Sequence, residues 1–175
     1  MYLIFLAIIS IIICYKFGDL KNWKNYYPTI LFFILGNVTC ILLVYNNPLW
    51  LYEPKMISST FSDLFVCVTV YPSTVMLFIP HLPSKNTKII LHISIYVAIY
   101  TLAELFGMKL GYFMHLNGWN IWYSLILNYL LFIMLIIHHK KPIYAWIIAL
   151  LSPHILFFIM KIPYNYKVDP VSRTF

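Results

Sequence analysis

Charged residues are scarce in this chain, and acidic ones are the scarcest. Of its 175 residues, 12 are Lys or Arg and only 5 are Asp or Glu, so 10% are charged. A soluble domain carries about 25% charged residues, which form the shell around its core. Here 62% of residues are apolar and the mean hydropathy is +0.83. These proportions exclude an ordinary soluble fold and predict an integral membrane protein.

The chain also lacks the motifs of the common enzyme classes. There is no HExxH zinc motif, no GxSxG nucleophile elbow, no Walker or Rossmann glycine pattern and no paired glutamates of an intramembrane protease. Its three cysteines, Cys14, Cys40 and Cys67, show no CxxC spacing, so neither a disulfide framework nor a zinc site is indicated. We therefore predict no catalytic residue, no metal and no cofactor, and the sequence does not favour an enzyme.

The net charge of +7 does not indicate nucleic-acid binding. The basic residues are spread over the ends of apolar runs, where they can contact anionic lipid headgroups, and they form no patch interleaved with aromatic residues. His138 and His139, next to Lys140 and Lys141, are predicted to make headgroup contacts of the same kind. The bilayer itself is the expected partner of this surface, and nucleic acid is not.

Apolar runs long enough to cross a bilayer, or nearly so, recur along the whole chain. A spanning helix needs about 20 predominantly apolar residues. The runs predict an all-α, polytopic transmembrane bundle that forms one domain over residues 1–175, with five spans if the last run does not cross. The six predicted spans are residues 2–17, 29–45, 59–79, 89–106, 121–137 and 143–160.

The lysines predict the orientation of these spans, because basic residues are retained on the cytoplasmic side. Seven lysines lie in the connections that follow the first, third and fifth spans, and two lie in the connections that follow the second and fourth. This bias places the N-terminus outside. The seven are Lys16, Lys21, Lys24, Lys85, Lys88, Lys140 and Lys141, and the two are Lys55 and Lys109. The tail carries Lys161, Lys167 and Arg173, so its side is left open.

Two acidic residues lie inside predicted spans. An acid at the bilayer centre costs about 2.5–3.5 kcal/mol on insertion scales, so its presence there calls for a reason. Asp63 is about one turn into the third span and Glu104 is near the end of the fourth. Because consecutive spans run in opposite directions, both carboxyls are expected at a similar depth toward the outer face.

Other polar residues follow helical spacing within the same runs. His92, Tyr96, Tyr100 and Glu104 are each four residues apart, and Asn120, Ser124 and Asn128 repeat the same step. Asn37 and His154 add polar groups to the second and sixth spans, and Pro72 and Pro153 are expected to bend the third and sixth. The predicted ligand-binding residues are Glu104, Asp63, His154, Asn37 and Asn128. Such groups also hydrogen-bond between helices without any further role, and that alternative stays open.

Several aromatic and loop stretches resemble a family of small, uncharacterised multi-span proteins of endospore-forming Gram-positive bacteria. The residues that carry the resemblance are residues 23–29 and Gly36, residues 48–52, Glu104, residues 117–120 and residues 138–142. The resemblance implies five or six spans in the bacterial cytoplasmic membrane, with no defined activity and no catalytic residue. Relatives often have an acidic residue where Asn37 stands, so a charge pair in the second span is not implied here.

Three functions are compatible with these patterns. The first is a polar intramembrane site that binds a small solute, a proton or a lipid headgroup in transport or sensing. The second is a structural or accessory subunit of a membrane or sporulation-envelope complex, in contact with another membrane protein or a second copy of itself. The third is an intramembrane lipid-modifying enzyme acting through His154. Substitution of Glu104 by glutamine separates the first from the second.

Overall fold

A computed structural model describes residues 2–52 and 59–160 of the protein. Six α-helices follow one another along this part of the chain: α1 (Tyr2–Phe17), α2 (Trp23–Leu43), α3 (Ser59–Phe78), α4 (Asn86–Lys109), α5 (Ile121–Lys140) and α6 (Pro142–Met160). A short 3-10 helix, Leu20–Asn22, precedes α2, and two three-residue strands, β1 (Trp50–Tyr52) and β2 (Phe113–His115), lie between helices. The predicted all-α class is confirmed.

Four of the helices are long and apolar enough to cross a membrane: Leu20–Leu43, Thr60–Phe78, Asn86–Lys109 and Ile121–Lys140. Helix α1 has 16 residues and is shorter than a full span, whereas α6, with 19 residues, is close to the length of one. The chain is therefore a membrane protein by length and composition of its helices. Six crossings and an outer N-terminus stay predictions, and Lys55 and the basic tail lie outside the described residues.

Helix α2 begins six residues before the predicted span, so Pro28 lies inside it and not in its first turn. The proline cannot donate a hydrogen bond to the carbonyl of Lys24, four residues back. That carbonyl lies at the end of the bundle, where water and headgroups can satisfy it. The position of the proline is tolerated for this reason.

The helices pack in the order α1, α3, α2, α5, with α4 and α6 both against α5. Four aromatic rings form the centre, where Phe132 contacts Phe78, Tyr96 and Tyr100 at centroid distances of 4.9–5.6 Å. Most side chains of α1 are exposed, and only Tyr2, Ala7 and Cys14 are buried. Large apolar side chains also cover the outside of the other helices, as expected of a surface that faces lipid.

The two ends of the bundle differ in structure. At one end, which we call the sheet end, β1 and β2 pair antiparallel with Leu51 opposite Met114. At the other end, which we call the lysine end, lie the connections that follow α1, α3 and α5 and carry seven lysines. Contacts such as that between Asp19 and the carbonyl of Met76 hold these connections together.

The sequence does not predict the two-stranded sheet, which lies in the connections between spans two and three and between spans four and five. Each strand has three residues, too few to show the alternating pattern that identifies a strand from sequence. The pairing joins two connections that are distant in the chain, so it depends on how the helices bring them together.

Candidate functional site

Glu104 lies near the end of α4, at the sheet end, and one of its oxygens accepts two hydrogen bonds. His115 Nε2 on β2 and Ser124 Oγ on α5 each lie 2.6 Å from Glu104 Oε1. The side chains of His115 and Glu104 are 11% and 13% exposed, so the pair is largely removed from solvent. Pairing with histidine is how the chain accommodates this carboxyl, and its depth in the bilayer stays a prediction.

The connection from α4 to α5 places His115 over this carboxyl. Gly111 and Gly118 have φ values of +73° and +81°, which turn the chain at either end of the strand, and Asn117 also has a positive φ, of 49°. The Leu116 N–H donates to the carbonyl of Leu49, and the Asn117 amide donates to that of Pro48 at 2.8 Å. The sheet and its flanking bonds therefore fix the height of His115.

A second layer of hydrogen bonds supports Ser124. The indole N–H of Trp119 donates to Ser124 Oγ at 2.9 Å, while the serine hydroxyl donates to Glu104. Trp119 is buried and its ring is 5.2 Å from that of Trp50 on β1. Asn120 caps α5, because its side-chain oxygen accepts from the N–H groups of Trp122 and Tyr123. The start of α5 and the sheet thus converge on the same carboxylate.

Asp63, on the first turns of α3, is the second acid of the sheet end. It is 8% exposed, and among residues 2–52 and 59–160 it has no hydrogen bond or ion pair with a basic side chain. Burial raises the pKa of the Tyr52 phenol, and the carboxylates of Asp63 and Glu104 raise that pKa further. Burial is the larger of these causes, and the two acids add to it.

Asn37 lies lower in the bundle and is bound to α3. Its amide donates to Cys67 Sγ at 3.2 Å, and its oxygen accepts from the Tyr71 hydroxyl at 3.1 Å. The Tyr71 ring stacks on Phe33 at 3.9 Å. Asn37 therefore joins α2 to α3, which is the interhelical role that polar residues commonly have in membranes.

The other two predicted site residues are placed differently. Asn128 is half-buried on α5, one turn from Ser124 and so on the same face of the helix as the Glu104 contact. His154 is exposed on α6, which packs against α5 and α2. Within the described residues the hydrogen-bond partners of Glu104 are His115 and Ser124, and His154 is not one of them. Pro153 lies within α6, but its side chain is outside the described residues.

The polar stripe of α4 forms contacts below Glu104. The Tyr100 hydroxyl lies 2.8 Å from Thr74 Oγ1, and His92 Nε2 donates to the carbonyl of Phe78 at 3.0 Å. Thr101, three residues before Glu104, has a buried hydroxyl with no hydrogen-bond partner in the described part of the chain. The stripe thus contacts α3 through His92 and Tyr100.

The prediction that His138 contacts headgroups is wrong. Its ring is 4% exposed, stacks on Phe32 at 4.2 Å and lies 3.1 Å from Thr29 Oγ1. Packing of α5 against α2 extends to the end of both helices, so this histidine is enclosed at the lysine end. Its neighbour His139 is exposed.

Three residues of the sheet end were not predicted as part of a site: His115, Tyr52 and Trp119. Each lies in a connection between spans, where helical spacing carries no information. His115 follows Phe113 and Met114 in the sequence, which is a weak signal, and only the need of Glu104 for a partner could have drawn attention to this histidine.

The described residues contain no group of three His, Cys, Asp or Glu side chains that could hold a metal ion. What the sheet end offers is one carboxylate bound to an imidazole, a second buried carboxyl, and a phenol under the influence of both. These groups can take up, hold and release a proton, and together they favour positive charge. No protein family, curated protein or solved structure matches this chain.

Proposed function

We propose that this membrane protein binds a proton at the sheet end, at Asp63 and at the Glu104–His115 pair, in proton-linked transport or sensing. A proton can bind to a buried side chain without a preformed cavity beside it. Carboxyl and imidazole groups are the side chains that exchange it near neutral pH when their surroundings are apolar. The bundle around them is a membrane bundle, in which such groups commonly mark proton relays.

The burial of Asp63 carries the proposal. An ionised carboxylate that is 8% exposed, with no basic partner in the described residues, is costly in apolar surroundings. Uptake of a proton or approach of a cation removes that cost. Asp63 therefore supports a site at which positive charge, from a proton or a cation, stabilises the carboxylate.

The Glu104–His115 pair supports the same conclusion and adds a response. The hydrogen bond between them is charge-assisted while Glu104 is ionised, and such bonds are about twice as strong as neutral ones. Protonation of Glu104 would weaken its hold on β2. The sheet, which joins the two connections at this end, would then be released from α4, and this links proton uptake to a change of shape.

Infrared difference spectroscopy across a pH step, on protein in lipid nanodiscs, tests the proposal. We expect carboxyl bands that change across the pH step and that are reduced in Asp63→Asn and in Glu104→Gln. Asp19→Asn is the matched control, since Asp19 lies at the lysine end. Carboxyl bands that are identical in wild type, Asp63→Asn and Glu104→Gln would exclude these groups as the proton site.

A structural role is the second candidate, and one observation favours it. Both hydrogen bonds to Glu104 come from groups that position the sheet and the start of α5. Glutamine at position 104 retains an acceptor oxygen but cannot be ionised. If Glu104→Gln keeps both its stability and the full response of the cell to the protein, the accessory role is favoured and the proton site is not.

A further inference from the structure

An apolar groove of about 480 Å³ opens sideways between α2 and α3, toward the lysine end. Its floor is formed by the buried side chains of Ile30 and Met76. Leu31 and Val68 stand on opposite walls, and both are exposed. The volume is within the range of about 300–1,000 Å³ that is typical of small-ligand sites. Every described contact of the site at the sheet end lies elsewhere, so this groove is independent of it.

Aromatic rings mark the mouth of the groove at the end of the bundle. Trp23 and Tyr27, one turn apart at the start of α2, line it and form an edge-to-face pair at 5.6 Å. Trp and Tyr prefer the level of the lipid headgroups, because their rings are apolar with one polar edge. The groove therefore starts at the headgroup level and runs into the hydrocarbon.

Two cations flank this mouth. Lys21 and Lys24 lie on either side of Trp23 in the sequence, and both are exposed. Asp19 is the nearby acid, and its carboxylate accepts hydrogen bonds from Asn22 at 3.0 Å and from Tyr26 at 2.7 Å. These bonds occupy Asp19, so the lysines remain available to an anionic group.

We propose that the groove binds one acyl chain of an anionic phospholipid, whose headgroup is held by Lys21 and Lys24. The apolar walls match the acyl chain of such a lipid, the aromatic mouth matches its glycerol region, and the lysines at the rim match its phosphate. The three features follow one another along the groove in that order. A neutral lipid would use the walls but not the rim. A helix of a second copy would fill the walls, but Asp19, the acid described at this end of the chain, is already bonded to Asn22 and Tyr26.

Quenching of Trp23 fluorescence by lipids with brominated acyl chains tests this site. Protein in nanodiscs is titrated with brominated phosphatidylglycerol or brominated phosphatidylcholine in an unbrominated phosphatidylcholine background. The Trp23 signal is the difference between wild type and Trp23→Phe. We expect phosphatidylglycerol to quench it at a much lower mole fraction than phosphatidylcholine.

The charge arm uses the double variant Lys21→Gln/Lys24→Gln. At about 1 kcal/mol for each lysine near the surface, the loss corresponds to about 30-fold weaker binding of phosphatidylglycerol. Quenching by phosphatidylcholine should not change. Lys85→Gln/Lys88→Gln is the matched control, because Lys85 is the N-cap residue of α4 and Lys88 lies in its first turn, and α4 contributes no residue to the described lining of the groove.

The shape arm uses Val68→Phe, which fills the groove from α3, with Leu130→Phe on the exposed face of α5 as its control. Leu31→Phe narrows the groove from α2 if Val68→Phe does not fold. We expect the groove variants alone to abolish the selective quenching. Equal quenching by both lipids in wild type would overturn the proposal, as would quenching that survives in the groove variants. Quenching that falls as protein copies per disc increase would assign the groove to a second copy instead.

Discussion

Glu104 Oε1 on α4 and His115 Nε2 on β2 lie 2.6 Å apart. The two residues are eleven positions apart in the chain, and one belongs to a helix while the other belongs to a strand. The carboxylate is carried by a helix of the bundle, whereas the imidazole is carried by the sheet that covers its end. The pair therefore connects the apolar part of the protein to its sheet end. Ser124 extends the connection to α5.

Removal of the imidazole should destabilise the protein. In His115→Ala the Glu104 carboxylate keeps only the Ser124 hydroxyl, and we expect a loss of about 2–3 kcal/mol in the free energy of unfolding. The double variant His115→Ala/Glu104→Leu should lose less than the sum of the two single variants, because it leaves no charge without a partner. Denaturation by SDS measures the three values. His81→Ala, at an exposed histidine of the lysine end, is the control, and strict additivity would contradict the pairing.

The buried contact between Thr29 and His138 should also contribute to stability. Thr29→Val retains the shape of the side chain but removes the hydroxyl, so a ring nitrogen of His138 loses its partner. We expect a loss of about 1–3 kcal/mol. Thr39→Val, at an exposed threonine of the same helix, should change the stability by less than about 0.5 kcal/mol. Equal effects of the two substitutions in the same unfolding assay would show that the contact is not formed.

Asn120 should matter as the cap of α5. Its side-chain oxygen accepts two backbone N–H groups that have no partner within the helix. We expect Asn120→Ala to lower the free energy of unfolding by about 1 kcal/mol and Asn120→Asp to retain most of it. Asn25→Ala, at an exposed position of α2, serves as the control. Hydrogen exchange at Trp122 and Tyr123 should increase only in Asn120→Ala, and unchanged exchange there would contradict the cap.

Tyr52 should make the stability depend on pH at the alkaline end. Its folded-state pKa is raised above the ordinary value of 10.0, first by burial and then by Asp63 and Glu104. Above about pH 10 the unfolded chain has lost this proton while the folded protein keeps it, so the free energy of unfolding falls as pH rises. Below that pH both states are protonated and Tyr52 contributes no slope.

Thermal melting of wild type and Tyr52→Phe across this range measures the effect. We expect stability to decline less steeply with pH in Tyr52→Phe, because unfolding of this variant releases one proton fewer. The decline should be unchanged in the control Tyr45→Phe, at an exposed tyrosine. Parallel curves for wild type and Tyr52→Phe would contradict a raised pKa of the Tyr52 phenol in the folded protein.

Several features of the candidate site could be predicted from individual residues. Helical rise relates sequence position to depth, so Glu104 and Asp63 were placed at the same end of the bundle, and the structure relates both to Tyr52. The step of four between Ser124 and Asn128 also predicted a common face of α5. His138 was predicted wrongly, because a histidine at the end of an apolar run has the same sequence context whether it contacts headgroups or a neighbouring helix.

The amino-acid sequence by itself determined that the chain is helical and surrounded by lipid. In hydrocarbon each backbone N–H and C=O needs a partner, and a helix supplies that partner within one apolar run, so the run is sufficient to identify it. Only the tertiary structure decided which polar groups meet: the rotation of each helix about its axis and the pairing of β1 with β2 are set by contacts between distant segments. Glu104 could therefore be recognised from the sequence, but its partner His115 could not.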